Sequence, residues 1–313
     1  MRRAQRGVAL LVALLVVALA SLLIAGLLAR GELAFARTRN ALRAAQAEAY
    51  AQGLELYAAQ ILMETWEQSP DTRASAWAVP LPPQSVPAGV ISASMRDLGG
   101  CFNLNNLGPG VPHRADWQRV FEALLGQLGL DPRIAAAVAA WQDPDATGEA
   151  GQYLALALPY RPRQGPFSHV SELRLVAGVD GGVYARLVPQ VCVLSPDTRI
   201  NVNTAGLPLL RALGLGVADA ERVWQQGQAR FGNLDEFISE ARTPGLVALR
   251  DLMDTRSDWF LARGEVVLDD IPFIFFSVIQ REAGRGIHVV ARSLGSDDAW
   301  LATGGSDAAV EVP

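Results

Sequence analysis

Asp143, Asp145 and Glu149 fall within seven residues and are interrupted by Pro144 and Gly148. Three carboxylates placed this way can converge on one point without belonging to a regular element. Hard oxygen donors on a flexible loop suit calcium, which takes about 6–8 oxygens at about 2.3–2.6 Å. The alternative is a solvated acidic turn, and the spacing is not that of an EF-hand loop. The only histidines, His113, His169 and His288, lie far apart, and no G-x-S-x-G, H-E-x-x-H or phosphate-binding loop occurs. The chain therefore reads as non-enzymatic.

Cys101 and Cys192 are the only cysteines and stand in no C-x-x-C or Cys/His cluster, which argues against zinc. In an oxidising compartment such a pair is a candidate disulfide, closing a loop of about 90 residues. The alternative is two separate buried thiols. At 313 residues, with 50% hydrophobic residues, the chain has ample material for one or two packed domains. A formal charge of −5 makes nucleic acid an unexpected partner.

The elements that must position these residues begin with a short basic head, Arg2, Arg3 and Arg6, then Gly7. An uncharged apolar run follows from Val8 to Ala29, 22 residues long. As a helix it spans a hydrocarbon core of about 30 Å. A cleaved secretory signal could end at Ala18-Leu19-Ala20, but the run continues through Leu22, Leu23, Ile24, Leu27 and Leu28. A signal anchor, basic side in the cytoplasm, fits the arginine asymmetry. A third reading rests on Gly7 standing directly against the apolar wall.

No proline interrupts the chain from Arg30 to Trp66, and Leu33, Leu42, Tyr50, Leu54, Tyr57, Ile61 and Leu62 recur at helical spacing. One helix of about 60 residues is expected, stopped before Ser69-Pro70. The proline-rich stretch Pro80–Pro87 reads as a linker to a strand at 90–95. Further strands are expected at 264–268, 273–279 and 287–291, with Gly284-Arg285-Gly286 as a hairpin turn. Between the strand groups lies a degenerate repeat. One copy runs Asn103-Leu104-Asn105, Leu124-Leu125-x-x-Leu128-Gly129-Leu130, then Phe167 with Glu172. The other runs Asn201-Val202-Asn203, Leu209-Leu210-x-x-Leu213-Gly214-Leu215, then Phe231 with Glu236. Each copy reads as short helices joined by a glycine turn, its asparagines bonding local backbone.

The segment R-G-V-A-L-L-V-A-L-L-V-V-A-L-A resembles a type IV prepilin leader. D-L-G-G-C-F-N-L-N at 97–105, W-Q-D-P-D at 141–145, S-H-V-S-E-L at 168–173 and I-N-V-N-T-A at 200–205 follow in the order of the large minor pseudopilin of type II secretion, the K family. The resemblance implies cleavage between Gly7 and Val8 by a prepilin peptidase, with methylation of the new terminus. Removing Arg2, Arg3 and Arg6 with that leader takes the side-chain charge from −5 to −8. Val12 becomes the mature fifth residue, where most pilin-like subunits carry glutamate; in this family the departure accompanies a place at the filament tip.

The fold implied is α+β: a pilin-like long N-terminal helix plus an antiparallel sheet, with a large inserted all-α domain containing helix-hairpin-helix-like repeats. Its parts are a leader (1–7), a transmembrane helix (8–29), pilin-like segments (30–110 and 257–294), the insertion (111–256) and a tail (295–313) expected to be disordered. Expected partners are other minor pseudopilins (types I, J and H), the prepilin peptidase and the inner-membrane secretion platform. The expected role is to initiate the pseudopilus for protein secretion across the outer membrane. The chain would cross the bacterial inner membrane once, with its head in the periplasm. The family also binds calcium in its helical domain, which implies Asp143, Asp145 and Glu149 as ligands. Here, however, the acidic pair that the family carries after the loop reads Glu149-Ala150-Gly151.

Read alone, the second repeat copy resembles a helix-hairpin-helix motif, whose G-x-G turn offers backbone amides to a phosphate. The alternative function is thus a membrane-anchored DNA-binding protein of the competence type. Five arginines against five acids between Asn201 and Arg250 oppose it, because a phosphate reader gains affinity from net positive charge.

Overall fold

A computed structural model of the chain describes residues 4–66 and 70–295. The side chains of 4–8, 147, 149 and 150 lie outside that description, as does the tail from 296 on, to which the expectation of disorder applied.

Helix α1 (Ala4–Thr65) is unbroken over 62 residues, about 90 Å at 1.5 Å per residue. Alanine, leucine, arginine and glutamate dominate it, all strong helix formers. From Ala9 to Phe35 its residues are exposed: the most apolar window has a mean hydropathy of 3.0 and no buried residue. Its second half lies on a sheet through Ala47, Ala51, Leu54, Ala58 and Leu62, all buried. Of the large side chains read at helical spacing, Leu54 and Leu62 are buried and Tyr50 and Ile61 pack beside them. Small alanines let the helix approach the strands closely, while Leu33 and Leu42 stay exposed.

Strands β1 (Leu81–Val86) and β2 (Gly89–Asp97) follow. The chain then leaves the sheet for helices α2 (Arg114–Gln127), α3 (Ile134–Gln142), α4 (Thr147–Leu154), α5 (Gly181–Leu187), α6 (Leu207–Ala212), α7 (Val217–Trp224) and α8 (Leu234–Ala241). Between them run two-residue strands β3 (Phe102–Asn103), β4 (Val191–Cys192), β5 (Ile200–Asn201) and β6 (Met253–Asp254). The chain returns as β7 (Trp259–Leu268), β8 (Ile271–Glu282) and β9 (Gly286–Leu294). The main sheet has the order β1-β2-β7-β8-β9 and is antiparallel throughout. Its centre is a long-range pairing, from Gly89 with Leu268 to Asp97 with Phe260.

Strand β1 occupies the stretch expected to be a linker. Pro82 and Pro83 are tolerated because β1 is an edge strand, where a missing N–H faces no partner. The register shifts between Leu81 and Gln84, where the prolines stand. Asp269 and Asp270, both at positive φ, close β7 onto β8 in a two-residue turn. Gly284 and Gly286, also at positive φ, turn β8 into β9.

The helical domain has its own apolar core, which takes in Phe102, Leu104 and Leu107. Residues ahead of 111, expected with the sheet, thus pack with the helices. Along α1, Arg43 pairs with Asp269 at one end of the sheet, Leu62 packs with Phe260 at the other, and Arg256 donates to the Trp66 carbonyl beyond it. The helical domain therefore caps the end of α1 remote from the apolar run.

Candidate functional site

The two repeat copies share one polar device. Asn105 Nδ2 donates to the carbonyls of Phe167 (3.1 Å) and Leu194 (2.8 Å), and its Oδ1 accepts the Phe167 N–H at 2.8 Å. Asn203 repeats this with Phe231 (3.1 and 2.7 Å) and the Thr255 carbonyl (3.3 Å). Five residues after each phenylalanine, Glu172 and Glu236 turn back to accept the N–H groups of Ser168 (2.7 Å) and Gly232 (2.7 Å). The asparagines are buried, and each holds a distant loop by its backbone. The order read in the sequence is a repeated loop clasp, closed in one copy by parallel pairing of β3 with β4 and in the other by β5 with β6.

A second buried network joins the helical domain to the sheet. Asp71, just past α1, pairs with Arg281 of β8, both nearly inaccessible. Asp71 also accepts from Trp77 Nε1 (3.0 Å) and the Ser257 N–H (2.9 Å), while its own N–H donates to the Thr255 carbonyl at 2.9 Å. Arg281 adds a bond to the Ser257 carbonyl at 2.6 Å and lies 5.0 Å over the Phe260 ring. Asn201 Nδ2 bridges the Asp71 carbonyl (3.0 Å) and Asp97 Oδ2 (2.9 Å), and Thr204 Oγ1 donates to that same oxygen. Burial pushes the Asp97 carboxyl above its ordinary value, against these bonds. No sequence pattern pointed to Asp71 or Arg281, which are 210 residues apart.

On α1, the face turned away from the sheet carries Leu28, Phe35, Leu42, Leu56 and Met63, between 54% and 73% exposed. Their spacing is seven, with Ala49 in the remaining slot. A sevenfold line of apolar residues is the seam on which a second helix packs. It continues without a break out of the membrane-length run. Arg39 lies 5.7 Å over the Phe35 ring, and the line as a whole stays exposed.

Gly7 and Val8 lie within the backbone of α1, their side chains outside the description. Cys101 and Cys192 are joined, with Cα atoms 5.8 Å apart, in an apolar cluster with Leu98, Trp259 and Phe276. The bridge therefore sits between the sheet and the first repeat copy. Asp143 caps α3, and its Oδ1 accepts the Asp145 N–H at 2.9 Å. Asp145 is exposed, and the Glu149 side chain is not described. Among the described residues no group of three or more acidic, histidine or cysteine side chains gathers as for a metal.

Comparison with known proteins fits this architecture. Models of type II secretion system protein K match residues 100–197 and 200–256. Protein K of Pseudomonas aeruginosa is 34% identical over 98% of this chain and 98% of its own length. Protein K of Pectobacterium carotovorum is 33% identical over 94% of this chain and 98% of its own. The chain belongs to the type II secretion protein K family. A crystal structure of the GspK-GspI-GspJ complex from the enterotoxigenic Escherichia coli type 2 secretion system contains a chain that superposes with a TM-score of 0.72 at 26% identity. It covers 83% of this chain and all of that one.

The two protein K models divide the insertion between Asp197 and Ile200, where the two repeat copies meet. Motifs shared in order thus have a physical reading. D-L-G-G supplies Asp97, I-N-V-N-T supplies Asn201 and Thr204 to the same junction, and the remaining asparagines clasp loops. These side chains face inward.

Proposed function

We propose that this minor pseudopilin ends the secretion pseudopilus and initiates it with sister subunits of types I, J and H. The observation that carries this is the placement of the helical domain over the end of α1, with the Leu28–Met63 line left bare along its side. One helical neighbour can pack along that line, whereas a subunit stacked above would meet the helical domain. Val12 agrees, since a tip subunit has no neighbouring amine above it for a carboxylate to pair with. The likeness to a chain from a complex with GspI and GspJ supports the choice of partners. Cleavage and methylation at Gly7–Val8, single-pass residence in the inner membrane, a periplasmic head and contact with the secretion platform complete the reading.

The test is to replace Phe35, Leu42 and Leu56 together by Glu and co-purify with the sister subunits from membranes. Loss of the complex with unchanged thermal melting supports the reading; full retention sinks the helix line as the contact. Immunogold label along the whole filament, instead of at one end, would sink the tip role. Calcium held by Asp143, Asp145 and Glu149 is a separate proposal resting on the resemblance of 141–149.

A further inference from the structure

Arg39 stands four residues after Phe35 and three before Leu42, so it lies on the apolar line of α1 itself. Its guanidinium carbon is 5.7 Å from the centre of the Phe35 ring, and among the described residues no carboxylate pairs with it. The polar groups around it are committed elsewhere. Arg43 pairs with Asp269, Gln46 donates to the Pro87 carbonyl at 3.3 Å, and the Thr38 hydroxyl donates back to the Ala34 carbonyl at 3.0 Å. Glu48 lies 3.8 Å from Arg292.

Height decides what can meet this cation. Arg39 is ten residues beyond Ala29, where the apolar run ends, or about 15 Å along the axis. The headgroup layer outside the hydrocarbon is only about 5–8 Å thick, so with α1 upright the lipid phosphates lie below Arg39. Glu32, on the same line one heptad lower, stands at headgroup level and about 10 Å from Arg39, too far to pair. A helix seated on Leu28, Phe35 and Leu42 must itself rise out of the bilayer, because the line runs unbroken from the membrane-length run. Gly31, Thr38 and Ala45 flank the line with small side chains, which lets such a helix come close. Close packing takes Arg39 out of water, and a cation buried without a counter-charge is strongly destabilising.

We infer that Arg39 pins the register of the assembly line, and that the helix packed there carries a carboxylate about 15 Å beyond its own membrane span. Sliding that helix by a heptad would keep the apolar contacts but separate the charges, so one polar position selects one alignment. The inference rests on the reading of the Leu28–Met63 line as the contact with a sister subunit, and adds the chemistry of the partner.

The test recovers the full chain with its sister subunits from membranes. Arg39→Glu should cut recovery of the complex at least tenfold. Arg39→Leu should cut it several-fold although leucine adds apolar surface, because the partner's carboxylate is left buried and unpaired. Both variants should melt as wild type does, since the side chain is exposed in the chain alone. In the Arg39→Glu background, each carboxylate of the sister helices beyond their apolar runs is changed to Arg in turn, and one change should restore the complex. Wild-type recovery with Glu, recovery with Leu at or above wild type, or failure of every swap to restore the Glu variant overturns the inference. In each of these cases, loss of the complex in the Phe35, Leu42 and Leu56 triple variant keeps the line as the contact, whereas its retention sinks both readings.

Discussion

At the residue scale the informative side chains are buried amides and carboxylates. Truncating Asn203 to Ala leaves the Phe231 N–H and carbonyl without this partner in a buried site, while the Thr255 carbonyl keeps the Asp71 N–H. Each such loss costs about 1–3 kcal/mol. Asn203→Ala and Asn105→Ala should each lower stability by about 2–4 kcal/mol, read as a fall in urea midpoint at unchanged slope. Glu55 answers to pH. Burial raises its carboxyl, but hydrogen bonds from Arg292 (2.8 Å) and Ser277 outweigh this and leave it below its ordinary value. A folded value below the unfolded one means that the unfolded chain binds the proton more tightly. The stabilisation is therefore complete above the ordinary glutamate range and disappears as pH falls through the folded value. Glu55→Gln should be less stable than wild type at pH 7, and the gap should close toward pH 3 in thermal melts. For the acidic loop, millimolar calcium should raise the melting temperature, since a ligand of the native state alone stabilises by mass action. Asp143→Asn with Asp145→Asn should remove that response; a wild-type response in the double variant leaves the loop an acidic turn.

At the scale of elements, α1 lies on the sheet through alanines, and this sets how close it can come. Gly264 belongs to the same contact, since a Cβ there would stand 3.1 Å from Leu54 Cδ1. Ala51→Leu should therefore destabilise by about 1–3 kcal/mol through overpacking. Leu56→Ala, at an exposed position, should change stability by less than about 0.5 kcal/mol. The pair separates packing from assembly, because the second variant weakens only the complex with sister subunits. The Cys101–Cys192 bridge closes a separation of 91 residues between two segments of the first repeat copy. Replacing both by Ser should cost about 2–5 kcal/mol. Reductant should lower the melting temperature of wild type and not of the variant.

For the whole molecule, the junction at Asp71 and Arg281 decides whether the sheet and the helical domain behave as one body. Asp71→Ala strands a cation that is 1% exposed, which costs about 3–5 kcal/mol. The variant should melt in two calorimetric steps where wild type melts in one. A single step, shifted downward, would show that the Asp97 bonds to Asn201 and Thr204 and the apolar contact of Leu98, Trp259 and the disulfide couple the two parts without the ion pair.

Much of this was legible in local pattern. The length of α1, the sheet strands after it and the Asn/Phe/Glu repeat follow from spacing, because helix period, strand alternation and clasp geometry act over a few residues; the order of motifs was legible only through the family resemblance. Strand β1 was not legible, since prolines read as a linker until the strand is known to lie at an edge. The large side chains Leu54 and Leu62 marked the buried face of α1, but the alanines Ala47, Ala51 and Ala58 beside them did not stand out, because alanine carries little hydrophobic signal and only the facing strands reveal that the contact needs closeness. The Asp71–Arg281 pair and the bare Leu28–Met63 line depend on which surfaces the fold covers. That choice is made by contacts between residues hundreds of positions apart, which no short window of sequence contains.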